Sequence, residues 1–367
     1  MKTAIIHDYL NQYGGAEKTL EAILELYPDA PIYTGIYSPN KLPKSITSRE
    51  IHALKGQFIT RFYKFFTFLM PLVFESFDLS QYDLIISEGT GWPKSVITSP
   101  NQLHIAYIHT PPRFLYKYSV ESAKREKWYY KPAVSIIDYF LRIWDFAAAQ
   151  RPDFILTNSH ETRSRIKKFY RRDAKVIYPP VEINYPISGE ANNLKKPYYI
   201  ALGRLVAYKN FDLLVQAFNL LDLPLMIVGT GLEENKLRAM AKPNIEFTGR
   251  VSEQEKHRLI EGSLGLINVV ADEDFGIVPV EAMAHGKPVL AHKSGGHLEV
   301  VKEGLSGMFI EDISIEGIAN KIREFDDAVN KKQFNAEKIR ATVQKFGKER
   351  FQKELSEFIN EKLSERK

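Results

Sequence analysis

The chain has 367 residues, 44% hydrophobic and 26% charged, which suits two ordinary domains with their own cores and excludes wholesale disorder. It has no cysteine, which excludes disulfides and any Cys-ligated metal and fits a reducing compartment. The net charge of +5 is uneven: residues 1–185 hold 24 lysines and arginines against 18 acids, and residues 186–367 hold 26 against 27. Only the first half therefore invites an anionic partner, such as a phospholipid surface, a lipid pyrophosphate or a nucleic acid.

The first apolar run, residues 4–6, stops at His7 and Asp8, too short for a signal-peptide core. No stretch reaches ~18 uncharged apolar residues, so the expectation is a cytoplasmic protein, at most peripheral at the inner face of the cell membrane. A strand at 3–6, a loop ending in Gly14-Gly15 and a helix over 16–26 form the opening of a Rossmann-like unit. Further strands are readable at 30–34, 84–87, 103–108, 154–157 and 175–177, with helical stretches between, which implies a mostly parallel sheet. A polar stretch at 188–196 precedes a restart. Strands at 198–202, 224–228, 245–247, 264–269 and 288–291 alternate with helices near 211–219, 233–241, 253–261 and 280–285. The predicted organisation is an N-terminal domain over 1–185, a second domain over 190–345 and a charged C-terminal helix over 346–367 that packs back toward the first. Such α/β domains bind ligands at the carboxyl ends of their strands.

Residues 271–290 read ADEDFGIVPVEAMAHGKPVL. Gly276 and Pro279 predict no helix before about Pro279, which suits a first turn. Phe275, Gly276 and Ile277 would then present N–H groups at a helix N-terminus, a place that binds anions without a charged side chain. Glu273 is expected at the strand end and Glu281 in the first helical turn, where carboxylates can hold sugar or ribose hydroxyls. Each also has a plain reading, Glu281 as a helix-dipole partner and Glu273 as a solvated loop acid. The two could form a glycosidase pair, but one looks committed to a helix start. Asp272-Glu273-Asp274 also spells the acid-x-acid pattern of a metal–nucleotide site, though the surrounding pattern points elsewhere.

The segment ALGRLVAYKN at 201–210 places Arg204 and Lys209 just after a strand that ends at Gly203. Two cations there can clamp a pyrophosphate and stabilise a departing diphosphate, or simply be surface charges. Gly14 and Gly15 let backbone approach a ligand closely, or make an ordinary turn. His109 ends a strand before Pro111-Pro112, either as a ligand contact or as a hydrogen-bonded structural histidine. Residues 55–77 mix seven phenylalanines with Arg61 and Lys64, and 114–144 carries a second aromatic-basic stretch. Both suit an anionic membrane surface, and both could equally be buried helices. A nucleic-acid partner is not expected, because no binding motif accompanies the small charge excess.

With these residues in place, the chain resembles the retaining glycosyltransferases of family 4, which have the GT-B fold: two Rossmann-like domains with parallel sheets facing across a cleft. The resemblance rests on Glu273 and Glu281 with seven residues between them, on Gly203-Arg204 with Lys209, and on Gly249-Arg250-Val251. It implies that Arg204 and Lys209 bind the donor diphosphate and that Glu281 holds the ribose. Glu273 with the backbone of Phe275, Gly276 and Ile277 would hold the sugar and phosphate, and Arg250-Val251 the base. His109 would contact the sugar, and Gly14-Gly15 would lie against donor and acceptor. No metal or other cofactor is implied. The segments around His7, Gly14, His109 and Glu273 look most like bacterial mannosyltransferases that build O-antigen or exopolysaccharide on polyprenyl-diphosphate carriers. The implied activity is hexose transfer, with mannose from GDP-mannose, to a lipid-linked or polysaccharide glycan, with peripheral membrane contact through the first domain. No residue reads as a covalent nucleophile, so front-face substitution is expected. A sugar-nucleotide epimerase of the same fold and a non-catalytic membrane-associated glycan or nucleotide binder are the alternatives.

Overall fold

The computed structural model describes residues 1–54, 67–118, 131–185 and 197–366. The aromatic-basic residues 55–66, the run 124–130 and the polar stretch at 188–196 lie outside the described residues. The described chain divides into two units, one built from residues of 1–180 and 348–367, the other from 181–347.

The first unit holds a parallel sheet of β1 (Thr3–His7), β2 (Ile32–Thr34), β3 (Ile51–Ala53), β4 (Leu84–Gly89), β5 (Leu103–Ile108), β6 (Phe154–Thr157) and β7 (Lys175–Val176). Its order is β3-β2-β1-β4-β5-β6-β7. The second unit holds β8 (Tyr199–Leu202), β9 (Leu225–Val228), β10 (Ile245–Gly249), β11 (Gly265–Asn268), β12 (Val289–His292) and β13 (Gly307–Ile310), in the order β10-β9-β8-β11-β12-β13. Both orders run outward from the first strand and then reverse to its other side, the Rossmann switch point at which ligands bind beyond the carboxyl ends. Every paired strand is parallel, and the central ones are buried on both faces, which is why β4 and β5 read as continuous apolar runs.

The helices used below are α1 (Gly15–Leu26), α2 (Met70–Glu75), α3 (Lys131–Ala148), α4 (His160–Tyr170), α5 (Phe211–Leu221), α6 (Glu253–Gly262), α7 (Ile277–Ala284), α8 (His297–Val300), α9 (Ile315–Asn330) and α10 (Lys348–Glu365). The C-terminal helix α10 belongs to the first unit. Its Phe351, Leu355 and Ile359 are fully buried in the cluster that holds Leu20 and Ile23 of α1, each burial contributing roughly 1.5–3 kcal/mol. Gln352 Nε2 donates to the Ala22 carbonyl at 3.0 Å, and Lys348 pairs with Glu25 at 3.0 Å.

Several boundaries differ from the sequence reading for a shared reason. The strands expected to include Pro31, Pro224 and Pro288 begin one residue later, at Ile32, Leu225 and Val289. Proline has no N–H for the ladder, but its carbonyl still serves: Pro31 accepts from Ile5, Pro224 from Tyr199 and Pro288 from Leu266, at 2.9–3.0 Å.

Two corrections touch the acidic motif. The helix α7 starts at Ile277, two residues before Pro279. The ring is tolerated because the first-turn N–H it lacks has no partner within the helix anyway. Glu281 therefore sits beyond the first turn, and no acidic residue occupies that turn, so the helix-dipole reading of Glu281 falls away. Glu273 is in the loop after β11, which ends at Asn268, rather than at the strand end.

Candidate active site

The second unit gathers its candidate residues beyond the carboxyl ends of β8, β10 and β11. Gly203 follows β8 with φ +153, and Gly229 follows β9 with φ +137. A Cβ on Gly229 would stand 2.0 Å from the Gly203 carbonyl oxygen, so only glycine lets these two strand ends lie so close. The loop from Gly203 then carries Arg204, which is exposed, to Lys209, whose stem lies along Gly203. Asn210, in the left-handed region at φ +55, donates from Nδ2 to the Val269 carbonyl at 3.1 Å and ties this loop to the end of β11.

That tie brings Lys209 to Glu273. Their Nζ and Oε2 atoms are 3.6 Å apart, with side chains 14% and 19% exposed. A cation and a carboxylate placed this way can serve one ligand, the first taking phosphate oxygens and the second hydroxyls. Phe275 is buried and packs edge-on against Phe346 at 5.2 Å. Gly276 caps α7 at φ +100, so the N–H groups of Ile277 and Val278 form an open helix start, Pro279 having none to offer. Glu281 is buried, and its Oε1 accepts from Lys256 Nζ of α6 at 2.8 Å. Arg250 and Val251 follow β10, with Arg250 exposed.

In the first unit, His109 follows β5, and its Nε2 pairs with Glu88 Oε1 on β4. Glu88 also pairs through Oε2 with Nδ1 of His7, its register neighbour on β1. Glu17 of α1 stands 3.7 Å from His7 Nε2 and accepts the Gly14 N–H at 2.7 Å. His7 and Glu88 are 1% and 0% exposed, so this is an ion pair removed from water. Burial pushes the Glu88 carboxyl up, but the His7 and His109 imidazoles outweigh it and hold Glu88 low, at about 2. Burial likewise pushes His7 down, and Glu88 and Glu17 outweigh it and raise His7 to about 10. Gly14 has an extended backbone, and its N–H already belongs to Glu17; Gly15 opens α1. Asp8, beside them, accepts from the N–H groups of Thr90, Gly91 and Trp92 at 2.5–3.3 Å and fixes the loop after β4.

The structure thus brings Gly203, Lys209, Glu273 and Gly276 together in one unit and ties His109 to a buried acid in the other. Sequence reasoning missed Glu88, Glu17 and Lys256 as partners of its candidates. The signal was present for Glu88, a lone acid in the apolar run LIISEG. Lys256 sits on a charged helix surface where nothing local marks it.

Residues 187–342 match the family described as Glycosyl transferases group 1. That match falls within the second unit. The chain is 30% identical to an uncharacterized glycosyltransferase of Methanocaldococcus jannaschii over 57% of each chain, so the match spans little more than half of that relative. It is 24% identical to the alpha-1,3/1,6-mannosyltransferase ALG2 of Dictyostelium discoideum over 98% of each. It is 26% identical to the GDP-Man:Man(3)GlcNAc(2)-PP-Dol alpha-1,2-mannosyltransferase of Mus musculus over 54% of this chain and 46% of the relative. Among solved structures, Anabaena HepE in complex with UDP and glucose superposes with a TM-score of 0.72 at 19% identity, covering 98% of this chain and 100% of that one. The sucrose-phosphate synthase of Thermosynechococcus elongatus gives 0.77 at 16% identity, over 99% and 100%. With the two Rossmann-ordered sheets, these neighbours assign the GT-B fold to the chain.

Proposed function

We propose that the protein is a retaining mannosyltransferase that takes mannose from GDP-mannose and adds it to a lipid-linked or polysaccharide glycan during cell-surface glycan synthesis. The observation that carries the reading is the Lys209–Glu273 pair beside the open start of α7, within a group 1 glycosyltransferase domain. The mannose donor is supported by relatives with mannosyltransferase names that span nearly the whole chain. A lipid pyrophosphate acceptor is supported by the dolichol-linked substrate in the name of the mouse relative.

In this reading Lys209 and Arg204 hold the diphosphate, and Glu273 with the backbone of Phe275 to Ile277 holds the sugar. Glu281, oriented by Lys256, holds the ribose, and Arg250-Val251 the base. His109, held by Glu88, contacts the sugar. The bond from C1 to the leaving phosphate oxygen breaks as the bond from C1 to the acceptor oxygen forms on the same face. The acceptor proton passes to the departing phosphate, and GDP leaves. Lys209 and Arg204 stabilise the charge on that diphosphate, which is the role a metal ion plays in other transferases.

Peripheral membrane contact has its best support in α3. Its acids point inward: Asp138 and Asp145 are buried, and Lys94 Nζ lies 2.5 Å from Asp145 Oδ1. Its outward face carries Ile136, Phe140 and Ile143 at 61%, 64% and 54% exposure. The helix α2 adjoins it through Trp144 Nε1 donating to Glu75 at 2.9 Å, and adds exposed Leu72. An exposed apolar face on the half of the chain that carries the positive excess fits an anionic lipid surface. Among the described residues no helix is long and apolar enough to cross a membrane.

One assay tests both parts. With GDP-mannose and a polyprenyl-diphosphate-linked glycan in anionic vesicles, the expected product is an α-mannoside by NMR, at a rate unchanged by EDTA. Phe140→Asp should lose vesicle binding while keeping its rate on a detergent-dispersed acceptor. A β-linked product, or full vesicle binding by Phe140→Asp, would refute the corresponding part.

A further inference from the structure

The first sheet changes direction between β1 and β4, so the loops after these two strands flank the crevice where a sheet of this kind takes ligand. The loop after β4 begins at Gly89-Thr90-Gly91. Glycine on both sides of Thr90 gives this turn little stiffness of its own, so what fixes it comes from outside. On one side is Asp8, whose carboxylate takes the N–H groups of Thr90, Gly91 and Trp92. On the other is Lys94, to which the reading above gives no part in the reaction.

Lys94 is 3% exposed. Its Nζ donates to the Gly91 carbonyl and to Asp145 Oδ1 of α3, both at 2.5 Å, and lies 5.3 Å from the centre of the Tyr170 ring. The second Asp145 oxygen, Oδ2, accepts from the Tyr116 hydroxyl at 2.9 Å. Tyr116 ends the short helical turn Arg113–Tyr116, which follows His109 and the two prolines. Arg142 of α3 donates to the Leu115 carbonyl of the same turn at 3.0 Å. The underside of α3 therefore holds both strand-end loops, one through Lys94 and the other through Tyr116. The loops also meet directly. The His109 N–H donates to the Gly89 carbonyl at 3.0 Å, and a Cβ on Gly91 would stand 3.3 Å from Pro112 Cγ.

A buried ion pair is a poor source of stability, because taking both charges out of water offsets their attraction, and apolar groups of similar volume often do as well. What the ammonium adds is direction, since its three donors fix the carbonyl and the carboxylate that they meet. We propose that Lys94 is a positioning residue for the reaction, its pair with Asp145 holding the Gly89-Thr90-Gly91 turn and the His109 loop in the arrangement that the first unit's crevice needs for turnover. This rests on the transferase reading and adds to it a residue that touches no substrate.

The test separates turnover from folding and from nucleotide binding. Lys94→Met combined with Asp145→Asn removes both charges together, keeps the volume of the lysine stem and leaves an acceptor for Tyr116. The double variant should unfold close to the wild-type Tm. Titration calorimetry should show wild-type affinity for GDP and UDP, because the residues read as holding the diphosphate lie in the second unit. With GDP-mannose and the polyprenyl-diphosphate-linked glycan, kcat should fall by about 10- to 100-fold, the scale on which a misplacement of about 1 Å acts. Gly91→Ala leaves the ion pair intact and crowds the same turn against Pro112, and it should show the same fall with the same nucleotide affinity. Wild-type kcat in the folded double variant would overturn the proposal. So would a loss of nucleotide affinity in step with kcat, the mark of a general structural effect. If the double variant does not fold, Gly91→Ala decides, and wild-type kcat in it overturns the proposal. Wild type that neither binds a nucleoside diphosphate nor turns over would overturn the transferase reading and the proposal with it.

Discussion

Lys209→Ala should lower kcat by about 10²–10³ while the protein stays folded. The magnitude is that of removing one preorganised positive or hydrogen-bonding group from the place where leaving-group charge develops. The Lys209–Glu273 pair is partly exposed on both sides, so its own contribution to stability is within about 1 kcal/mol. Unfolding midpoints should therefore move little. Steady-state release of nucleoside diphosphate gives kcat and KM separately. A fall confined to KM would mean that Lys209 binds the donor equally in ground and transition states, and an unchanged kcat/KM would remove it from the mechanism. Lys209→Arg should recover only part of the rate, because a planar fork does not replace a point charge in contact with Gly203.

Glu88→Gln should cost about 3 kcal/mol of stability and flatten the pH dependence near neutrality. The substitution takes the charge from between His7 and His109 with no water to replace it. In the wild type Glu88 is held below its unfolded value. Its contribution is complete above an unfolded pKa near 4.3 and is lost as pH falls toward about 2. His7 is raised above its unfolded value. Its contribution is complete below an unfolded pKa near 6.5 and is lost as pH rises toward about 10. Wild-type stability should thus decline between about pH 6.5 and 9. Without Glu88, Glu17 alone opposes the burial that pushes His7 down, so His7 is raised less and the decline of stability above about pH 6.5 shrinks. Urea unfolding of both proteins from pH 5 to 9 measures the difference directly. Parallel curves would show that His7 is neutral in the native protein.

The fold was largely legible because parallel strands buried on both faces leave continuous apolar runs, as in residues 103–108 and 199–202. The missed strands β3 and β13 are edge strands of three and four residues, too short to carry a period. The helix α9 was readable from Ile315, Ile318, Ile322 and Phe325 and went unread for want of a motif beside it. At the site, motif spacing pointed to Lys209 and Glu273 as candidates, but not to their pairing. That pairing depends on Asn210 reaching Val269, a contact 59 residues apart in sequence. The inward acids of α3 show the opposite failure. Its sequence contains enough apolar residues for a core helix, and only the packing reveals that several of them face outward.

The most direct test of the central claim is ligand-induced thermal stabilisation of the purified chain by GDP, UDP, ADP and their common sugar conjugates. A ligand that binds only the folded state at 100 times its Kd adds about 2.7 kcal/mol of stability. The prediction is a rise in Tm with GDP and GDP-mannose, larger for the conjugate, and none with ADP compounds. A rise with UDP compounds alone would keep the sugar-nucleotide site and discard the mannose donor. No rise with any nucleotide, in protein that unfolds cooperatively, would contradict the account.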